Sequence, residues 1–174
     1  MKVIETPRLI LRRLTVDDAP FVLRLLNEPS FLRFIGDRGV HSLAKAREYL
    51  LIGAIASYER LGFGMYLVES KPAGIPLGLC GLVRRTALPD ADLGFAFLPE
   101  FWSKGYAVES AAAVMEHARA LGLKRVAAIT SVDNESSIAL LGKLGFEFER
   151  LITLPGETEE INLFAIALEP VGLR

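Results

Sequence analysis

The stretch from Leu93 to Glu109 reads LGFAFLPEFWSKGYAVE, an apolar strand pattern that runs into a loop containing Gly105 and then a helix opening near Ala107. The first turn of such a helix carries several backbone N–H groups without intrahelical partners. They form a natural anion site, strongest for a pyrophosphate. Strand-loop-helix turns with a glycine also occur as plain tight connections, and on pattern alone both readings stand. Two other phosphate motifs are absent. Gly142-Lys143 lacks the upstream glycine and the Ser/Thr of a P-loop, and Gly105 has no companion glycines for a dinucleotide fingerprint.

Elsewhere the reactive residue types are sparse. Cys80 lies inside an apolar strand pattern and reads as a small core residue. His117 falls mid-helix and reads as structural, and His41 sits in a glycine-bearing segment that suits an exposed histidine. No nucleophile-base pair stands out. Asp133-Asn134-Glu135-Ser136 is a good helix N-terminus, with Asn134 as cap. One cysteine and two histidines give a metal site poor support, and no metal is expected.

The elements that must hold these residues follow from periodicity and punctuation. Arg8 to Leu14 is a strand. Thr15 to Asp18 caps a helix over Phe21 to Leu26 that Glu28-Pro29 ends. Phe31 to His41 is irregular, and Ser42 opens a helix from Leu43 to Arg60. Met65–Glu69, Leu77–Val83 and Asp92–Leu98 are strands. A helix then lines up Val108, Ala111, Ala112, Met115, Ala118 and Leu121 and stops at Gly122. Arg125–Val132 is a strand, a short helix carries Ile138, Leu141 and Leu144, and Phe146–Ile152 and Glu160–Leu168 are the last strands. The order β-α-α-β-β-β-α-β-α-β-β, with no repeat or linker, describes one mixed α/β domain over residues 1–174.

Composition agrees. The chain has 174 residues, 51% of them hydrophobic and 24% charged, which is enough to build a sizeable core. Its 20 basic and 21 acidic side chains leave a net charge of -1, so neither nucleic acid nor an anionic membrane is an expected partner. No apolar run reaches the roughly 18 residues a bilayer span needs. The first residues lack a signal-peptide apolar segment, and the compartment reads as cytoplasmic.

Phe101 to Glu109 resembles the acyl-CoA pyrophosphate loop of the GNAT N-acetyltransferases, closest to the branch of the RimJ/RimL-type ribosomal-protein acetyltransferases. Three further segments agree in order. Thr6 to Arg12 resembles the opening strand of that branch. Asn134 to Ser137 with Leu144-Gly145-Phe146 resembles its late helix and closing turn, and Asn162 to Ala167 its last strand. The resemblance implies a central, mostly antiparallel mixed sheet, splayed at the cofactor site and flanked by helices. It also implies acetyl-CoA as co-substrate.

Carried over residue by residue, the likeness implies that the backbone of Ala96, Phe97 and Leu98 pairs with the pantetheine arm as an added strand would. The amides of Ser103, Lys104, Gly105, Tyr106, Ala107 and Val108 hold the pyrophosphate. Where the family often has glycine this chain has Ser103, whose Cβ restricts the loop. Lys104 adds charge to the phosphates or is a solvated loop lysine. Asn134 hydrogen-bonds the pantetheine besides capping its helix. Leu141 stands where many members carry a thiolate-protonating tyrosine, and Ser137 matches the RimL-like serine that serves instead. Asp92 stands where many members carry a glutamate that draws the amine proton through water. Glu109 supports the helix N-terminus rather than the chemistry.

The resemblance implies direct acetyl transfer to a primary amine through a tetrahedral intermediate. A protein or peptide α-amino group, with a reference pKa of about 8 against about 10.4 for lysine, asks less of a weak base. A small-molecule amine is the alternative acceptor, because the acceptor side falls on Pro29 to Phe63, rich in aromatics (Phe31, Phe34, Tyr49, Tyr58, Phe63). An acyl-CoA-binding sensor without turnover is the reading from another class. The chain is expected to be a monomer or homodimer.

Overall fold

The chain opens with an antiparallel pair, β1 (Lys2–Glu5) and β2 (Leu9–Arg13), joined through a turn in which the Thr6 N–H bonds the Leu9 carbonyl at 2.9 Å. A single-turn 3-10 helix at Val16–Asp18 follows, its capping box formed by Thr15 and Asp18. Then come α1 (Ala19–Leu26), α2 (Pro29–Phe34), α3 (Leu43–Leu50) and α4 (Ala56–Leu61). The sheet resumes with β3 (Met65–Ser70), β4 (Pro76–Val83) and β5 (Asp92–Phe97), crosses over through α5 (Tyr106–Ala120) to β6 (Arg125–Ser131), and ends with α6 (Glu135–Lys143), β7 (Glu147–Ile152) and β8 (Ile161–Ala167). This computed structural model describes residues 1–170 and Gly172; Val171, Leu173 and Arg174 of the expected 1–174 domain lie outside the described residues.

The eight strands form one sheet in the order β1-β2-β3-β4-β5-β6-β8-β7, antiparallel throughout except for β5 beside β6. One face buries Tyr66, Val68, Cys80, Leu82, Leu93 and Phe97 against Ala111, Val114, Met115 and Ala118 of α5 and Leu140 and Leu141 of α6. Small residues on α5 bring the helix close to the sheet. On the other face Leu67, Leu79 and Leu98 pack with Val22, Leu25 and Leu26 of α1, Phe31 of α2, and Ala46 and Leu50 of α3. Burying each of these larger side chains is worth roughly 1.5–3 kcal/mol.

Three local expectations change. Lys2–Glu5 is a strand of 4 residues in its own right, too short to announce itself by alternation. Pro29 begins α2 rather than merely ending α1, because a proline at the first helical position gives up a donor that would be unpaired anyway. The expected helix from Leu43 to Arg60 is continuous in outline but passes through a π turn at Leu51–Ile55 between α3 and α4.

Candidate active site

β5 and β6 run parallel but share one register pair, Asp92 with Ala127, and the Ala127 N–H reaches the Ala91 carbonyl at 2.9 Å. Beyond that seam each strand keeps only its outer partner, β4 for β5 and β8 for β6. The cleft therefore opens toward the carboxyl ends of two parallel strands, each followed by a helix N-terminus, the arrangement in which α/β proteins hold ligands. Alternation decides which groups face it. The Leu98 N–H bonds the Leu77 carbonyl at 3.0 Å, so that N–H and the backbone groups of Ala96 turn to β4, while the Leu98 carbonyl accepts the Phe101 N–H at 3.0 Å. Those of Phe95 and Phe97 turn to the cleft, and the Phe97 carbonyl accepts the indole N–H of Trp102 at 2.9 Å. Of the expected Ala96–Leu98 stretch, only the Phe97 N–H remains toward the opening, joined by Phe95. From Phe97 back to Leu93 this free edge runs about 13 Å at ~3.3 Å per residue.

At the open end of β5 the loop Trp102–Gly105 is exposed. Gly105 caps α5 with φ 81° and ψ 4°, and Ser103 takes φ 60°, alone among the described non-glycine residues in a positive φ. The first helix-type bond is from the Glu109 N–H to the Gly105 carbonyl at 3.0 Å. The amides of Ser103, Lys104, Gly105, Tyr106, Ala107 and Val108 donate to no acceptor among the described residues. An unbroken run of unpaired donors thus lies at the positive end of a 15-residue helix.

A contact that the sequence does not announce braces this loop. Glu109 Oε1 accepts from Thr6 Oγ1 at 2.6 Å and from the Arg8 N–H at 3.1 Å, and Oε2 accepts from Arg8 Nε at 2.6 Å. Arg8 Nη1 also donates to the Lys104 carbonyl at 2.9 Å, and its guanidinium lies 4.6 Å above the Tyr106 ring. Burial pushes the Glu109 carboxyl up, but the Thr6 hydroxyl and both Arg8 donors outweigh it and hold the group below its ordinary value. Glu109 thus braces the loop through Thr6 and Arg8, and among the described residues its carboxylate makes no bond to the helix amides. The partners are 101 and 103 residues away in the chain, beyond the reach of any spacing argument.

At the open end of β6, Asn134 caps α6, its Oδ1 accepting the Ser137 N–H at 3.3 Å. That leaves the Asn134 side-chain amide directed to no acceptor among the described residues. Ser137 is half-buried in the first turn and Ser136 is exposed. Leu141, one turn on from Ser137, is fully buried in the core with α5, so no polar group occupies that helical position.

At the closed end stands Asp92, 1% exposed. Leu93 and Phe97 project toward α5, so Asp92 projects to the opposite face, the one that carries α1 to α3. Arg85 Nε lies 3.3 Å from both carboxylate oxygens and hydrogen-bonds Oδ2, while Oδ1 is buried without a hydrogen-bond partner among the described residues. Burial raises the Asp92 pKa, and the charge of Arg85 offsets only part of it. On the same side, Arg33 of α2 reaches Asp133 at 3.5 Å and ties α2 to the loop before α6.

The acceptor-side aromatics are less available than the sequence suggests. Phe31, Tyr58 and Phe63 are buried core residues; Tyr58 accepts the Leu14 N–H at 3.0 Å and donates to the Met65 carbonyl. Only Phe34 and Tyr49 are half-buried. His41 is exposed and contacts Asn27 and Asp37. Cys80 is fully buried, which pushes its thiol up to about 12 and leaves it no nucleophile. His117 is half-buried and meets the hydroxyl of the core residue Tyr66 at 3.1 Å.

A family model described as an acetyltransferase (GNAT) domain matches residues 8–147. The uncharacterized N-acetyltransferase YoaA of Bacillus subtilis is 30% identical over 153 residues, covering 86% of this chain and 85% of that protein. Among solved structures, RimL, a ribosomal L7/L12 α-N-protein acetyltransferase in complex with coenzyme A, superposes with a TM-score of 0.82 at 21% identity, over 97% of this chain and 98% of that one. MccE, a microcin C7 self-immunity acetyltransferase in complex with acetyl-CoA and AMP, gives 0.78 at 17% identity, over 94% of each. The splayed parallel seam and the amide-rich loop belong to an acetyltransferase fold. The chain is a member of the GNAT acetyltransferase family, and its fold is shared with RimL-type enzymes. No helix among the described residues is long and apolar enough to cross a membrane.

Proposed function

We propose that this acetyltransferase moves the acetyl group of acetyl-CoA directly to a primary amine, and that the amine is the α-amino group of a protein or peptide. The observation that carries the reading is the cleft between β5 and β6, with unpaired amides at its mouth and a buried carboxylate at its closed end. The amides from Ser103 to Val108 receive the pyrophosphate, with Lys104 adding charge. Phe95 and the Phe97 N–H offer the extended arm of the co-substrate an edge to pair with, and Asn134 adds a side-chain amide from the other wall. A free edge of about 13 Å carries the reacting end back toward Asp92.

Asp92 then acts as the base, directly or through a water. Its Oδ1 lacks a partner, and the upward push of burial on its pKa makes it a better proton acceptor than an ordinary exposed carboxylate. The freed amine nitrogen bonds to the acetyl carbon, the carbon–sulfur bond breaks, and Ser137 donates a hydrogen bond to the sulfur as its charge develops. A single carboxylate partly neutralised by Arg85 is a modest base. An α-amine, neutral more often than a lysine at the same pH, matches it better. The fold likeness to RimL, which acts on a protein α-amine by its name, points the same way.

The test is a mass-spectrometric screen with acetyl-CoA against peptides of varied N-terminus, peptides whose only free amine is a lysine, and small amines. Acetylation of peptide α-amines is the expected product. Products confined to small amines would replace the acceptor assignment, and CoA binding without any product would make the chain a sensor.

A further inference from the structure

Glu109 poses a physical problem for the cofactor reading on which this inference rests. A carboxylate in the first turn of a helix is drawn toward the positive end formed by the unpaired amides there. An anion approaching the same amides would then meet a competing negative charge. In this chain the carboxylate is turned out of the loop instead, held by Thr6 Oγ1 at 2.6 Å, the Arg8 N–H at 3.1 Å and Arg8 Nε at 2.6 Å. The same guanidinium holds the Lys104 carbonyl at 2.9 Å. Because a trans peptide sets its C=O and N–H in opposite directions, fixing that carbonyl aims the Gly105 N–H away from Arg8 and into the loop. Arg8 Nη2 donates to no acceptor among the described residues and lies 3.2 Å from where a Cβ on Gly105 would stand.

We infer that Thr6 and Arg8 form a clamp that keeps the anion-binding end of α5 open, by withholding the Glu109 carboxylate and by setting the Lys104–Gly105 peptide. Arg8 is a positioning residue for cofactor binding, acting through Glu109 and Lys104. Its bidentate reach is what the role needs. A lysine offers a point charge and cannot hold a carboxylate and a carbonyl in one plane. The clamp also explains how a helix can keep an acid in its first turn and still present a site for a diphosphate.

The test compares CoA with pantetheine, which has no phosphate, on the wild type, Arg8→Ala, Arg8→Lys and the double variant Arg8→Ala/Glu109→Gln, with thermal unfolding as the fold control. Arg8→Ala should weaken CoA binding at least ~10-fold and leave pantetheine within about twofold, and Arg8→Lys should fall between. Removing the released charge in the double variant should recover at least half of the lost affinity on a logarithmic scale. Unchanged CoA affinity in folded Arg8→Ala, an equal loss with pantetheine, or no recovery in the double variant would each overturn the clamp. Should Arg8→Ala fail to fold, Arg8→Lys with and without Glu109→Gln carries the same comparison. A wild type that ignores millimolar CoA would instead remove the cofactor reading beneath it.

Discussion

Gly105→Ala isolates the loop's contribution to cofactor binding. The residue sits at φ 81° with an ideal Cβ 3.2 Å from Arg8 Nη2. Holding an alanine in the left-handed region costs roughly 1–2 kcal/mol, and the guanidinium must also give way. Without ligand, the substituted loop can give up the Arg8–Lys104 contact and relax to another conformation, so CoA must reimpose the strained one. Affinity should therefore fall about 5- to 30-fold, the equivalent of 1–2 kcal/mol. A branched side chain in Gly105→Val adds further restriction, and a loss of at least ~10-fold is expected there. Trp102 is the chain's one tryptophan, half exposed and bonded to the cleft strand, so its fluorescence on CoA titration is the natural assay. Gly122→Ala is the control. It carries the same positive φ, 83°, at the other end of α5 with nothing within 4 Å of an added Cβ. That variant should lose roughly 1–2 kcal/mol of stability and keep its CoA affinity. If Gly105→Ala binds CoA within twofold of wild type, or if Gly122→Ala loses as much, the loop is not the phosphate site.

Two further outcomes concern the chemistry. For Asp92, burial holds the folded carboxyl above its unfolded value, so kcat/KM should rise with pH along an acid limb displaced upward from about 3.9, the ordinary aspartate value. Asp92→Asn should lower kcat by at least ~100-fold and abolish that limb, and a limb that survives assigns it to another group. The sign for stability is the opposite: a raised folded pKa contributes stability that is full below the unfolded pKa and lost as pH rises through the folded one. Wild type should accordingly lose stability over that window where Asp92→Asn does not. Ser137→Ala should reduce kcat about 10- to 100-fold with cofactor affinity nearly unchanged, while the exposed neighbour in Ser136→Ala changes neither. Equal kcat in both variants would leave Ser137 as a helix residue only.

Periodic segments with clear punctuation are legible from the amino-acid sequence alone. The β4 and β5 strands, the span of α5 ending before Gly122 and the Asn134 cap all stand where local pattern puts them, although the buried face of α5 is shifted: Ser110 and Val114 are buried, whereas Ala112 and Leu121 of the expected stripe are exposed. The departures share a cause, in that the deciding partner is distant or the segment is short. β1 is only 4 residues long and gains its identity from pairing with β2. Glu28-Pro29 signals a stop and a start equally well, and packing of Phe31 into the α1–α3 core selects the start. Hydrophobicity does not say which side of a boundary a residue lies on, so the acceptor-side aromatics read as a surface although Phe31, Tyr58 and Phe63 are core. The direction of the backbone groups on β5 depends on the Leu77–Leu98 pairing, which no reading of β5 alone can supply.

The cleft has a reason in the pairing pattern itself. β6 is matched to β8 along seven residues and β5 to β4 along six, both antiparallel, whereas the parallel seam between them holds a single pair. Parallel pairing is the weaker of the two per residue, and the twist of each half carries the strands apart from a common point. A sheet built this way would normally be penalised by unpaired edges in its middle. In the proposed reading that penalty is turned to binding: the same Phe95 and Phe97 groups that lose a strand gain an extended ligand arm. The cost is confined to one place because Trp102 satisfies the Phe97 carbonyl and the loop residues Ser103, Lys104 and Gly105 remain exposed to solvent. Asp92 stands where the strands part, so its buried, half-satisfied carboxylate and the open edges arise from one structural decision.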